Sequence, residues 1–225
     1  MIQYSFMKTM KNIIITGTNG MIGNLILKRC LERNDIAKIT SITRKPLKMR
    51  HHKLVEVVHD DFLDFNKVEE YFKEQDICFY CIGVYTGQVP TNDFKKITVA
   101  YTEIFANTLR KNNKETSFCF LSGQGADSSE KSNLLFAKEK GIAENILLKL
   151  AFKSTHIFRP GYIYPDVKRI EPNFMYKLMR LLYNPIKFVY PNIGVTSQKL
   201  AATMVNVGMK GGNKIFYENS DIRLA

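Results

Sequence analysis

Three glycines, Gly17, Gly20 and Gly23, follow the apolar run Asn12-Ile13-Ile14-Ile15 and open a stretch with helical periodicity. A strand ending in a glycine turn and then a helix leaves first-turn amides without intrahelical partners, at the positive end of the helix dipole. Such a turn can seat a pyrophosphate. Gly17 permits the tight turn, Gly20 lets the backbone approach phosphate, and Gly23 allows close helix–strand packing. The contacts are expected from Gly17, Thr18, Asn19, Gly20, Met21, Ile22 and Gly23. A dinucleotide follows as the expected ligand.

About 20 residues further on, a chain that prefers NAD carries a carboxylate for the ribose hydroxyls. Here the place reads Ser41-Ile42-Thr43-Arg44-Lys45, with no carboxylate. Arg44 can pair with a 2′-phosphate and Lys45 can add a point charge. NADP(H) is therefore expected over NAD(H), with NAD as the alternative. Asp61 and Phe62 follow the third apolar run. Asp61 can accept from an adenine amino group, with the Phe62 N–H on the ring edge. Equally, Asp61 or Asp64 can cap a helix. Cys81, Ile82 and Gly83 end the fourth run, where the chain passes beneath the cofactor. Val84, Tyr85 and Thr86 continue that loop toward the nicotinamide ribose or a substrate.

Strand and helix signals alternate along the chain and must position these residues. Strands are expected at 12–16, 37–43, 54–58, 76–82, 117–121, 155–158 and 214–217. Helices are expected at 20–33, near 67–73, 92–112, 133–150, 172–183 and 197–208. This alternation argues for an α/β fold with a doubly wound parallel sheet, the NAD(P)-binding Rossmann fold. The loops after residues 16, 43, 59, 82, 121 and 158 then line one crevice. Residues 1–11 read as an extension. Residues 12–225 read as one domain with a small substrate-side segment at about 160–213.

The net charge is +12. Its densest cluster, Arg44 to Lys53, reads as a solvated loop. No helix-turn-helix, RNP or zinc-finger pattern accompanies the charge, so nucleic acid is not expected as a partner. Cys78 and Cys81 form a C-x-x-C inside an apolar strand. Residues three apart on a strand point to opposite faces, so these thiols should not meet, and Cys30, Cys78, Cys81 and Cys119 are expected to be structural. No His/Asp/Glu spacing suggests a metal site. His156 reads as a core or edge histidine. No run approaches the roughly 20 apolar residues of a membrane span, and the first residues lack a signal-peptide pattern. The expected location is cytoplasmic.

Together these residues resemble the short-chain dehydrogenase/reductase superfamily, in its atypical and extended branch. They look most like Tat-interacting-protein-like oxidoreductases and small bacterial NAD-dependent epimerase/dehydratase proteins. The similarity runs through Thr16 to Gly23, Asp76 to Gly83, Leu121 to Asp127, Lys140-Gly141 with Glu144, Phe158-Arg159-Pro160-Gly161, and Phe216 to Asn219.

The resemblance implies a Tyr-x-x-x-Lys pair. Its tyrosine moves a proton, and its lysine binds nicotinamide-ribose hydroxyls and lowers the tyrosine pKa. Lys140 fits the lysine, the alternative being a solvated helix lysine. Ser122, or equally Gln124, fits the substrate-orienting position. Phe136 stands where the tyrosine belongs and has no hydroxyl. Pro160 and Gly161 border the nicotinamide in relatives. Tyr85, Tyr162 or Tyr164 can bring a phenol there, although each can equally be a packing residue. Tyr162, Tyr164, Phe174, Met175, Met179 and Tyr183 can line a small apolar pocket or belong to the core. The expected function is an NADP(H)-binding oxidoreductase or epimerase-like protein with an incomplete acid–base set. The alternative is a non-catalytic NADP(H)-sensing protein read by a protein partner. In many relatives the helix at 133–150 forms dimer bundles, so a homodimer is a further expectation.

Overall fold

The computed structural model describes residues 10–166 and 174–225. Residues 1–9 of the expected extension lie outside the described residues, as do the side chains of Phe174, Met175 and Met179. Seven parallel strands form the main sheet: β1 (Lys11–Thr16), β2 (Ile36–Thr43), β3 (Leu54–Val58), β4 (Ile77–Tyr80), β5 (Ser117–Leu121), β6 (Ser154–Arg159) and β9 (Phe216–Glu218). Their order is β3-β2-β1-β4-β5-β6-β9. The order reverses between β1 and β4, the place where an open parallel sheet binds its ligands.

The apolar runs of the central strands β1, β4 and β5 follow from burial on both faces. Side chains alternate across the sheet. Ile13 and Ile15 of β1 point to one face with Phe79 of β4, while Ile14, Cys78 and Tyr80 point to the other. The first face is covered by α1 (Met21–Leu31) and α6 (Ser197–Lys210), through Ile26, Leu27, Leu200 and Met204. The second is covered by α3 (Tyr101–Asn112) and α4 (Leu135–Lys149), through Phe105, Leu109, Ala143 and Leu147. Cys78 and Cys81 belong to opposite layers, and the four cysteines are free.

Several boundaries differ from the sequence expectation. β4 stops at Tyr80, so Cys81 and Ile82 begin the loop at the crevice. The expected helix near 67–73 is a 3₁₀ segment, Asn66–Phe72. The helix expected over 92–112 is α2 (Thr91–Lys95), a π turn at Lys96–Ala100, and α3. α5 runs Phe174–Val189, with Pro185 inside it. The last strand begins at Phe216 and not at Lys214. Two three-residue strands, β7 (Tyr162–Tyr164) and β8 (Gly194–Thr196), pair as a separate ribbon, and the chain ends in α7 (Asn219–Leu224).

Candidate functional site

The glycine turn is shaped by its neighbours. Gly17 has φ +79°, and a Cβ there would lie 2.5 Å from the Cys81 carbonyl oxygen at the end of β4. A Cβ on Gly23 would collide with the Gly17 carbonyl. The Gly20 N–H closes the turn onto Gly17 O at 2.9 Å, and Gly20 O accepts the Asn24 N–H at 3.0 Å. Gly20 is thus the N-cap of α1, with no side chain capping it. The amides of Met21, Ile22 and Gly23 are the first-turn donors left by this arrangement. Thr18 is buried, sharing a hydrogen bond with Ser41 at 2.8 Å.

A cavity of about 280 Å³ opens at this turn. Gly17, Asn19 and Gly20 line it together with Thr43, Arg44 and Lys45, the two groups joined by the Asn19 hydrogen bonds to Thr43 and Lys45. Cys81, Ile82 and Gly83 close a third side, while Phe62, Ile97 and Tyr101 close the remaining one. No Asp or Glu is among the lining residues. A Cβ on Gly83 would meet nothing within 4 Å, so the strand end leaves open space where a ligand can approach the backbone. Uncapped amides, two cations and an apolar wall suit the phosphates and base of a dinucleotide. Ile97 belongs to the π turn, a helix irregularity frequent at functional sites. Asp61 is exposed and outside the cavity lining, its carboxylate accepting the Leu63 N–H at 2.9 Å. Phe62 is buried against Tyr101, with ring centroids 5.6 Å apart.

Beyond β4, the candidate catalytic groups are bonded to each other or to the backbone. Lys140 is buried, and its Nζ donates to Leu121 O at 3.1 Å and lies 4.9 Å from the Phe120 ring centroid. Burial lowers its pKa to about 8, opposed by the nearby Glu144 carboxylate. The Ser122 hydroxyl donates to Glu144 at 2.5 Å. Glu144 is fully buried and holds Arg159 through two further hydrogen bonds, of 3.1 and 2.5 Å. These bonds push the Arg159 pKa up.

Phe136 sits over the loop after β5; a Cβ on Gly123 would lie 2.6 Å from its ring carbon Cζ. The Pro160 carbonyl accepts the Gln124 N–H, and the Gly161 N–H donates to Asn219 at 2.8 Å. An open depression lies beside Gln124, bordered by Tyr190, Pro191, Asn192 and Ile193. Tyr162 and Tyr164 pack on the buried Tyr183, at centroid distances of 5.6 and 4.6 Å. His156 is buried in β6 and bonded to the Lys214 carbonyl. Burial pushes the Cys30 and Cys81 thiols up to about 12. Among the described residues, no group of three His, Cys, Asp or Glu could hold a metal ion. No described helix is long and apolar enough to cross a membrane.

Residues 17–161 match the model of a family described as NAD(P)H-binding. The chain belongs to that family. It is 30% identical over 165 residues to Protein HTATIP2 of Rattus norvegicus, covering 72% of this chain and 66% of the relative. It is 31% identical over 149 residues to Protein FMP52, mitochondrial, of Debaryomyces hansenii, covering 65% of this chain and 64% of the relative. The match thus spans just under two thirds of these curated relatives. Among solved structures, UDP-N-acetylglucosamine 4-epimerase from Methanobrevibacter ruminantium M1, in complex with UDP-N-acetylmuramic acid, superposes with a TM-score of 0.68. That likeness covers 93% of this chain and 76% of the epimerase at 15% identity, and it shows the fold.

Two polar clusters of this NAD(P)H-binding chain escape sequence reasoning. The first ties Asn19 to Thr43 and Lys45. The second is the buried Glu144–Arg159 pair with Ser122. The second left a trace: Glu144 follows Lys140 by four residues, which sets both on one helix face. No sequence signal marks the first, because its acceptors lie 24 and 26 residues away, at the end of β2 and just after it.

Proposed function

We propose that the chain binds NADP(H) at the head of α1 and is an oxidoreductase- or epimerase-like protein with an incomplete acid–base set. The observation that carries this reading is the carboxylate-free cavity that Arg44 and Lys45 line together with the glycine turn at the uncapped α1 terminus. Phosphate oxygens are stabilised there by backbone N–H groups, and a 2′-phosphate by the two cations. A bound nicotinamide would supply or accept a hydride. Lys140, whose Nζ spends one donor on Leu121 O, retains donors for ribose hydroxyls. Phe136 cannot hold or move a proton, so the usual contribution of about 10²–10⁴ from general acid–base help is missing at that position.

Calorimetry with NADPH and NADH tests the binding, and hydride exchange against a carbonyl panel tests the chemistry. Tighter NADPH binding is expected. Equal affinity would remove the NADP preference, and no heat with either would remove the whole reading.

A second reading, a non-catalytic NADP(H)-dependent partner of another protein, is supported by the commitment of Ser122 to Glu144 beside Phe136. Tight NADPH binding with no turnover on any carbonyl would favour it. The four free thiols suit a reducing compartment such as the cytoplasm. Fractionation would separate that location from the mitochondrion, which the name of the yeast relative specifies for that protein.

A further inference from the structure

We infer that Asn19 is a specificity-determining positioning residue: its carboxamide latches the Arg44–Lys45 turn to the glycine loop, so that the cavity selects a 2′-phosphorylated adenosine over one with a free 2′-hydroxyl. This rests on the NADP(H) reading and deepens it. The Asn19 Nδ2 donates one proton to Thr43 Oγ1 at 2.8 Å and the other to Lys45 O at 2.8 Å. The Thr43 hydroxyl, accepting from Asn19, donates its own proton to the same Lys45 carbonyl at 3.0 Å. Three hydrogen bonds therefore close a triangle between the turn after β1 and the end of β2.

The triangle has a fixed sense. A hydroxyl has a single proton, so with that proton on the Lys45 carbonyl, Thr43 Oγ1 meets Asn19 as an acceptor. With both amide protons engaged, Asn19 positions the turn and does not itself hold phosphate. The Lys45 carbonyl, an acceptor that would repel phosphate, is drawn to the glycine loop and satisfied twice. Arg44 is left between two anchored residues. Further along, the Leu47 N–H donates to the Glu56 carboxylate, so the segment is tethered on both sides and that acid is engaged outside the cavity lining.

A 2′-hydroxyl gains most from a carboxylate acceptor, and the cavity lining contains none. A 2′-phosphate gains from Arg44 and Lys45, and gains more when the turn carrying them is ordered beforehand, because less freedom is lost on docking. The latch thus bears on the phosphate and leaves the α1 amides unchanged.

The test measures calorimetric dissociation constants for NADPH, NADH, adenosine 2′,5′-bisphosphate and 5′-AMP. The proteins are wild type and three variants that keep the net charge: Asn19→Leu, Thr43→Val and Thr43→Ser. Asn19→Leu and Thr43→Val are expected to weaken NADPH and the bisphosphate about tenfold, with NADH and 5′-AMP shifting less than about threefold. Thr43→Ser keeps the hydroxyl and should retain the wild-type preference.

Equal weakening of all four ligands in Asn19→Leu and Thr43→Val would overturn the inference, since the latch would then only hold the loop. Unchanged ratios in those variants would overturn it as well. If Asn19→Leu fails to fold, the Thr43 pair decides on the same ratios. Equal binding of NADPH and NADH by wild type would instead defeat the underlying NADP(H) reading, and this inference with it.

Discussion

At the head of α1, first-turn amides, Arg44 and Lys45 face an open cavity, and neither cation makes an ion pair among the described residues. Across β4, Ser122, Lys140, Glu144 and Arg159 are bonded to one another or to the backbone. One half of the crevice keeps its polar groups available, and the other satisfies them internally. The contrast separates the region proposed for recognition from the region proposed for chemistry. The glycine-turn half depends on backbone geometry set by the sheet, whereas the other half depends on a few side chains, among them Phe136, which carries no hydroxyl.

The largest expected effect comes from placing a phenol at Phe136. Phe136→Tyr should raise carbonyl turnover by about 10²–10⁴ while changing the NADPH dissociation constant less than about threefold. Absence of turnover in both proteins would favour the partner-binding reading.

Arg159→Met separates the halves from the other direction. It strands the fully buried Glu144 carboxylate and should cost about 3–5 kcal/mol by urea unfolding. NADPH affinity of the folded variant should stay within about threefold of wild type. A parallel loss of affinity would show that the halves are coupled.

Lys140 gives a smaller, pH-dependent effect. Burial lowers its pKa from 10.5 to about 8, so between these values the unfolded chain binds more protons than the folded one. Stability therefore rises with pH across that window. Below about 8 the desolvation penalty is fully present, and above about 10.5 it is gone. Relative to Lys140→Met, wild type should gain up to about 3 kcal/mol between these limits. Parallel stability curves in denaturant would refute a desolvated ammonium.

The smallest effect is expected from Arg44→Ala. NADPH binding should weaken about tenfold and NADH binding should hardly change. Equal losses would move the phosphate contact elsewhere on the cavity wall.

The sheet was largely legible because its central strands, β1, β4 and β5, are buried on both faces and read as apolar runs. The glycine turn was legible because Gly17 needs positive φ and Gly23 has no room for a side chain. β7, β8 and α7 were missed because three to six residues carry too little periodicity to register. The end of β4 was misjudged because apolar character continues past the paired residues, as at Ile82, and the start of β9 because Ile215 still accepts the Ile157 N–H just before the strand begins. The Asn19 bonds to Thr43 and Lys45 and the Glu144–Arg159 pair join residues 15 to 26 apart in sequence, a relation that only the folded chain establishes. Asp61 had two readings, adenine contact or helix cap; its carboxylate accepts the Leu63 N–H, outside the cavity lining and before the 3₁₀ segment, whose N-cap is Phe65.

The contact of Gly17 with the Cys81 carbonyl carries a kinetic consequence. Because two adjacent strand ends mould the loop, its receptive shape forms when the sheet forms, before any nucleotide arrives. Docking then involves little induced rearrangement. Association should follow a single concentration-dependent phase, with differences between nucleotides residing in how long each one stays.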